Sequence, residues 1–179
     1  EVDLARVVNE AVDDVRVAAE EKEIDLVIVS DKRCWVWGDR GLLVTAVRNL
    51  VVNAVAYSGS GTRVAIRARV APDGAREVIV TDQGTGIPES ELGRIFERFY
   101  RVDAARSRST GGTGLGLSIV KHVCANHGGD VTVWSELGRG STFTIRLPAP
   151  SYGPSETKAD TGIPASPPDT DQPKETPVP

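Results

Sequence analysis

Two glycine clusters, at residues 83–86 and 111–116, constrain this chain more than any other feature. The first follows the apolar run 77–81, which predicts a buried strand, and Asp82 stands where the chain turns out of that strand. The second runs into a helical pattern, so free N–H groups and the positive end of the helix dipole favour an anion there. The two clusters together predict a pocket for a phosphate-bearing ligand.

The segment between the clusters is basic and aromatic. We expect it to be partly mobile and to lie over the phosphates, with Phe96 and Phe99 as packing anchors. Arg101 follows Phe99-Tyr100 at the hinge of the segment and is the best candidate for a phosphate clamp. The residues that define the segment are Arg94, Phe96, Arg98, Phe99, Tyr100, Arg101, Arg106 and Arg108.

Composition indicates one globular domain without a nucleic-acid surface. The 179 residues are 40% hydrophobic with a net charge of -4, and no basic stripe is present. The two cysteines, Cys34 and Cys124, form no CxxC pair and are expected to be reduced thiols. No apolar run approaches the roughly 20 residues of a membrane span. The chain lacks methionine and begins within a helical pattern, so we expect a fragment whose sensing or membrane part lies elsewhere.

Periodicity predicts alternating helices and strands up to residue 148. Asp3 and Asp39 are candidate N-caps, and residues 128–129 are a candidate helix stop. Predicted helices cover 3–23, 40–58, 90–100 and 114–127; predicted strands cover 24–30, 34–37, 63–70, 76–81, 130–135 and 141–147. Nine of the eleven prolines lie at or beyond residue 148, so 149–179 is predicted to be a disordered tail.

The helix predicted at 40–58 carries a polar rim. Asn49, Asn53 and Tyr57 recur every four residues beside the apolar stripe. Mg²⁺ prefers hard oxygen ligands and shares them with substrate phosphates, so two amide oxygens one turn apart suit a site that a nucleotide completes. The asparagines could equally be amides at the edge of the core, and Tyr57 could be a core residue rather than a contact for the base.

The other candidate groups also have ordinary explanations. Asp82 could be a simple turn former, although a carboxylate beside glycines can accept from the exocyclic amine of a flat ring. The second cluster is neither a Walker A loop nor a dinucleotide fingerprint, so a different phosphate-binding fold is needed. His122 and His127 belong to no catalytic constellation, and His127 at a helix end suits a cation or a capping donor.

Four ordered motifs carry a family resemblance over residues 1–148. Asn49–Ala54, Asp82-x-Gly84-x-Gly86, Ile95–Arg101 and Gly112–Leu117 closely resemble the N, G1, F and G2 boxes of the catalytic ATP-binding domain of bacterial sensor histidine kinases. The resemblance implies the Bergerat fold, a two-layer α/β sandwich of a mixed sheet with helices on one face. It also implies a flexible ATP lid at about residues 101–113.

The same resemblance implies roles for individual residues. ATP and Mg²⁺ are the expected cofactors, with Asn49, Asn53 and Arg101 as the catalytic set. By position in the motifs, Asp82 would bind the adenine amino group, Tyr57 would lie against the base, and Gly84 and Gly86 would shape the adenine pocket. Asn53, assisted by Asn49, would coordinate Mg²⁺. Arg101 would steady the γ-phosphate, and the phosphates would also be contacted by Gly112, Gly114, Gly116 and the Leu115 amide.

The implied activity is transfer of the γ-phosphoryl group to a histidine on an upstream dimerisation hairpin absent from this chain, for relay to a response-regulator aspartate. Hydrolytic relatives place a glutamate where this chain has Asn49, and a neutral amide is a poor base. This favours phosphoryl transfer to a protein acceptor over hydrolysis. Because the acceptor histidine is missing, the chain alone should bind ATP but not autophosphorylate. Ala56 replaces a basic residue that is common in the family, which leaves more phosphate neutralisation to the arginines of the lid.

The remaining expectations concern setting and alternatives. We expect a cytoplasmic domain of a membrane-anchored sensor that contacts neither nucleic acid nor membrane. One alternative is a serine kinase of the same fold that restrains a sigma factor. Another is a nucleotide-binding interaction module without catalysis.

Overall fold

A computed structural model describes residues 1–102 and 113–150. Four α-helices and seven strands occur in this part of the chain. The helices are α1 (Leu4–Asp13), α2 (Arg16–Glu21), α3 (Arg40–Tyr57) and α4 (Gly116–Asn126); the strands are β1 (Val2–Asp3), β2 (Asp25–Ser30), β3 (Trp35–Val36), β4 (Arg63–Val70), β5 (Arg76–Asp82), β6 (Asp130–Glu136) and β7 (Gly140–Leu147).

Five of the strands form one mixed sheet in the order β2-β4-β5-β7-β6. Strand β2 runs parallel to β4, and every other pairing is antiparallel. The strands predicted at 63–70 and 76–81 form one antiparallel hairpin, and those predicted at 130–135 and 141–147 form another. The order places β7 beside β5 with β6 at the edge of the sheet, so the β6–β7 turn lies near the end of β5, where Asp82 stands.

Alternating side chains bury one face of the sheet beneath the helices. On β4, Val64, Ile66 and Ala68 are fully buried, and on β5 Val78 and Val80 are buried in the same cluster. Helix α1 packs on β2 and β4, α3 on β4 and β5, and α4 on β6 and β7. The predicted two-layer α/β sandwich is confirmed, since period-two burial gives a sheet only one apolar face to cover.

The first predicted helix is two helices. Asp3 caps α1 as expected, accepting from the Ala5 N–H at 2.9 Å. The helix ends at Asp13, and α2 begins only at Arg16. Asp13 and Asp14 favour the break, because aspartate has low helix propensity.

The strand predicted at 34–37 forms, but outside the main sheet. Its residues Trp35 and Val36 pair antiparallel with Asp3 and Val2 in a separate two-stranded sheet. Periodicity identifies a strand from its own residues, whereas the partner depends on where the chain returns.

The helix predicted at 90–100 is wrong. Only a 3₁₀ turn at Glu89–Glu91 forms, followed by further turns, and Gly93 is a poor residue for a helix interior. Phe96 does pack on the core, edge-to-face with Phe143. Phe99 is not a packing anchor: its side chain is 66% exposed and its φ is 64°.

His127 joins the C-terminus of α4 to the N-terminus of α3. The Asp39 N–H donates to Nε2 of His127 at 3.0 Å, and Nδ1 lies 2.8 Å from the Val123 carbonyl. An N–H group can only donate, so Nε2 is the acceptor and Nδ1 carries the proton. The imidazole is therefore a neutral capping donor, which is the second of the two roles expected for it. Asp39 caps α3 as predicted, accepting from Leu42 N–H.

Among the described residues, no helix combines the length and the apolar composition needed to cross a membrane.

Replacing Leu50 with Ala should lower the free energy of unfolding by about 2–5 kcal/mol, because a fully buried side chain on α3 leaves a cavity between the layers. Chemical denaturation measures this. Val52→Ala, on the same helix but 45% exposed, is the matched control and should cost under about 1 kcal/mol. Equal losses in the two variants would contradict the packing described here.

Candidate functional site

A buried carboxylate lies where β5 ends. Asp82 is only 5% exposed, and its Oδ1 accepts from the Gly84 N–H at 2.8 Å and from the Ser141 N–H at 3.2 Å. The two donors come from segments 57 residues apart in the chain. Both described bonds fall on the same oxygen, so the rotamer is fixed while Oδ2 is left for another donor.

Burial raises the pKa of the Asp82 carboxyl above its ordinary value, and the bonds from the Gly84 and Ser141 N–H groups lower it by less. Desolvation disfavours the charged form, so the folded protein holds this carboxylate at a cost in stability. A buried acceptor of this kind is typical of a binding site rather than of a structural turn.

Close backbone approaches surround the carboxylate. A Cβ at Gly140 would lie 2.0 Å from the Asp82 carbonyl oxygen, and one at Gly86 would lie 2.1 Å from the Glu136 carbonyl oxygen. Both glycines have positive φ, at 96° and 69°. No other residue type fits at either position, because the contact is with backbone and the conformation is left-handed.

The end of α3 forms the facing wall. A Cβ at Gly84 would lie 2.6 Å from the Tyr57 carbonyl oxygen, which also accepts from the Thr85 N–H at 3.3 Å. The Tyr57 side chain is 45% exposed. It is therefore not a core residue, while its backbone carbonyl contacts the glycine loop.

Two turns back along α3, Asn49 meets the N-terminus of α4. Its Nδ2 donates to the Thr45 carbonyl at 2.8 Å, which turns Oδ1 away from its own helix. A Cβ at Gly116 would lie 2.9 Å from that Oδ1. Asn53, between Asn49 and Tyr57, makes no side-chain hydrogen bond to another described residue.

The start of α4 has no side-chain cap. Leu115 occupies the N-cap position without a capping bond, so the first N–H groups of the helix are available to a ligand. The preceding Gly114 has a φ of 70°, accepts from the Phe99 N–H at 2.8 Å, and a Cβ there would lie 2.9 Å from the Phe99 backbone. The glycine thus ties the start of α4 to the chain before residue 103.

Arg101 has buried nitrogen atoms without a partner. Among the described residues, nothing hydrogen-bonds to its Nε or Nη2. Buried N–H groups without an acceptor are costly, and an anionic ligand would satisfy these two nitrogens.

The predicted site residues thus fall into two groups joined by α3. Tyr57, Asp82, Gly84 and Gly86 form one group, and Asn49, Gly114, Leu115 and Gly116 form the other. Asn49 and Tyr57 are eight residues apart, about 12 Å along the helix axis, which matches the distance from a purine to the outer phosphates of a nucleotide. Gly112 and most of the expected lid lie outside the described residues.

Sequence reasoning missed the contribution of the β6–β7 hairpin. Ser141 was predicted only as the start of a strand, and neither it nor Gly138 and Gly140 was expected in the site. Their glycine spacing was the available signal, but nothing in it shows that the turn packs against Asp82. The described residues also contain no cluster of three or more His, Cys, Asp or Glu side chains that could hold a metal alone.

The fold and these two groups define an ATP-binding domain of the Bergerat class. Residues 38–151 match the family model "Histidine kinase-, DNA gyrase B-, and HSP90-like ATPase", and the chain belongs to this family.

Similar proteins are sensor kinases. The chain is 51% identical over 159 residues to the sensor-like histidine kinase SenX3 of Mycolicibacterium smegmatis, covering 89% of this chain and 41% of that protein. Against SenX3 of Mycobacterium tuberculosis it is 51% identical over 150 residues, covering 83% and 36%. The chain therefore spans less than half the length of these relatives.

A solved structure of the mycobacterial sensor histidine kinase MprB superposes with a TM-score of 0.72 at 34% identity, covering 84% of this chain and 99% of that one. Full-length ShkA in complex with AMPPNP gives a TM-score of 0.72 at 31% identity, covering 84% of this chain and 31% of that chain. The predicted family and fold are confirmed.

Replacing Asp82 with Asn should remove adenine-nucleotide binding and yet not lower the thermal midpoint at pH 7. The amide oxygen of the variant can still accept both backbone N–H bonds, and the substitution removes a buried charge whose folded pKa is raised. The advantage of the Asp82→Asn variant over the wild type should shrink as the pH falls through the folded pKa of Asp82, because the wild-type carboxyl is then neutral too.

Scanning calorimetry from pH 7 to pH 4, with nucleotide titrations beside it, measures both effects. A midpoint below that of the wild type at every pH would show that the carboxylate stabilises the fold and is not held there at a cost.

Proposed function

We propose that this chain binds Mg-ATP and transfers the γ-phosphoryl group to a histidine on an upstream helical hairpin of the same protein. The observation that carries the proposal is the pairing of a buried, rotamer-fixed Asp82 with an uncapped helix N-terminus beside Asn49, at the two ends of one face of α3. Membership of the ATPase family and similarity to sensor histidine kinases support it.

At the purine end, the free Oδ2 of Asp82 accepts from the exocyclic amine of adenine. Gly84 lets the ring approach the backbone, and the exposed ring of Tyr57 lies against the base. This recognition depends on a hydrogen bond to a buried acceptor, which penalises purines without the amino group, since the acceptor would then be left unpaired.

At the phosphate end, the residues present fit a magnesium ion shared with the nucleotide. Oδ1 of Asn49 is directed by the Thr45 bond, and the Asn53 amide lacks a described partner, so both oxygens are available. Mg²⁺ would supply charge neutralisation between the phosphates. Because these ligands are neutral and only two, the ion should bind weakly without nucleotide.

The γ-phosphate is assigned to Arg101. Its unpaired buried nitrogens are suited to a charge-assisted, bidentate contact with phosphate oxygens. Asn49 cannot act as a general base, so water is not activated. Positioning and electrostatics then favour transfer to a protein acceptor over hydrolysis.

Lys22 lies close to residue 56, where this chain has Ala56 in place of a basic residue that is common in the family. Its Nζ lies 2.9 Å from each of the Val55 and Ala56 carbonyl oxygens, where it complements the C-terminus of α3. The Lys22 ammonium therefore lies near Ala56 but is bonded to the C-terminal carbonyls of α3. Neutralisation of the phosphate charge is then left to Arg101 and to the N-terminus of α4.

The partners follow from the proposed reaction. The chain spans only 41% and 36% of its SenX3 relatives, and the hairpin, a later response-regulator acceptor and any membrane attachment would belong to the rest of the system. The similarity to sensor histidine kinases favours this assignment over a serine kinase that restrains a sigma factor.

The direct test mixes the purified chain, Mg-ATP labelled at the γ position and a separately produced helical hairpin bearing the acceptor histidine. Acid-labile label should appear on the hairpin and none on the chain itself. A hairpin with His replaced by Gln is the control. Saturable ATP binding without label on the hairpin would instead support a nucleotide-dependent interaction module.

Asn53→Ala should abolish the Mg²⁺-dependent part of ATP binding while the fold stays intact, because one of two neutral metal ligands is lost. Calorimetric titrations with and without Mg²⁺ measure it, and Val52→Ala on the adjacent exposed position is the control. Magnesium dependence equal to that of the wild type would refute the metal role of Asn53.

A further inference from the structure

Ser135, at the end of β6, joins three segments around the purine end of the site. Its Oγ accepts from the Ile87 N–H at 2.8 Å, lies 3.0 Å from the Gly140 carbonyl oxygen and 2.9 Å from Oγ of Ser141. A hydroxyl has one proton and two lone pairs, so it can serve all three groups at once if Ser141 donates to it. No apolar side chain could replace it.

Each of the three groups belongs to a wall of the pocket. Ile87 follows the glycine loop that leaves Asp82, Gly140 makes the close approach to the Asp82 carbonyl, and the Ser141 N–H holds Oδ1 of Asp82. One side chain therefore connects the loop on one side of the carboxylate with the strand on the other.

The β6–β7 turn makes further backbone contacts with the loop at 84–87. The Gly138 N–H donates to the Thr85 carbonyl at 2.8 Å, and Gly86 lies directly against the Glu136 carbonyl. The loop at 84–87 and the β6–β7 turn are thus pressed together by backbone contacts. Ser135 supplies the only described side-chain oxygen that bonds the loop backbone from this turn.

We propose that Ser135 is a positioning residue for purine recognition: it sets the separation between the glycine loop and β7 and thereby the aim of Asp82 at the exocyclic amine. This rests on the proposed nucleotide binding. Ser135 contacts no ligand itself, and it lies at the purine end only. Its loss should therefore weaken contacts to the base and leave those to the phosphates intact.

The expected signature is a change in base discrimination. Ser135→Ala leaves the Ile87 N–H without its partner and frees the loop, so the affinity for Mg-ATP should fall on the order of 5- to 10-fold. Affinity for inosine triphosphate, which lacks the amino group, should change less than about 2-fold, since Asp82 offers that base no matching partner. In the transfer assay, KM for ATP should rise while kcat stays near that of the wild type.

The experiment titrates the chain with both nucleotides in the presence of Mg²⁺ by calorimetry. Ser135→Thr keeps the hydroxyl on a strand that tolerates β-branching and should restore the wild-type preference for ATP. Thr132→Ala removes a hydroxyl from the exposed face of the same strand and should change nothing. Ser135→Cys, nearly the same size with a weaker acceptor, should give an intermediate preference and serves if the Ala variant does not fold.

The outcomes separate the two proposals. If the wild type binds neither nucleotide, the proposed function fails and this inference with it. If the wild type prefers ATP but Ser135→Ala keeps that preference, or loses affinity for both nucleotides equally, the positioning role is overturned while the proposed function stands. Failure of Ser135→Thr to restore the preference would also overturn it.

Discussion

The site is built around one energetically unfavourable group, the buried carboxylate of Asp82, which hydrogen bonds from two neighbouring segments hold in place. Asp82 is a carboxylate at the end of a buried strand, where desolvation raises its pKa. It remains fixed because two backbone N–H groups, from Gly84 and Ser141, converge on one of its oxygens. Those donors can reach it only if the glycine loop and the β6–β7 turn approach at backbone distance, which requires glycine at residues 86 and 140. In the proposed function, stability and recognition therefore compete at one carboxylate, because the backbone holds Oδ1 and leaves Oδ2 for the base.

In the proposed function, helix α3 connects the purine end of the site to the phosphate end. It is the longest helix of the described part, and its buried face is fully committed to the core. Its polar edge presents Asn49, Asn53 and Tyr57 at one-turn intervals, and in the proposed function the rise of the helix sets the distance between the contacts to the base and those to the phosphates. The helix is held at both ends, by His127 at its N-terminus and by Lys22 at its C-terminus. Neither His127 nor Lys22 is a predicted site residue, yet both fix the helix that carries Asn49, Asn53 and Tyr57.

Much of the fold could be predicted because its signals are local. The spacing of apolar residues in the sequence predicted β4, β5, β6 and β7, and the candidate N-caps Asp3 and Asp39 predicted where two helices begin. The failures were also local in origin. The segment expected to be a helix at 90–100 contains Gly93, and the single helix expected at 3–23 contains Asp13 and Asp14 at its middle. In both places the apolar spacing was helical, but low helix propensity outweighed it.

The sequence by itself determined which residues are chemically suited to a nucleotide: the aspartate at a strand end, the asparagines on one helix edge, and glycines before a helix start. Each of these follows from residue type and short-range spacing. Only the tertiary structure decided that Phe99 is exposed, that β3 pairs with β1, and that Ser135 and Ser141 from the last hairpin bond Asp82 and the loop that follows it. Those contacts join residues far apart in the chain, and no local pattern specifies which strand will return beside which.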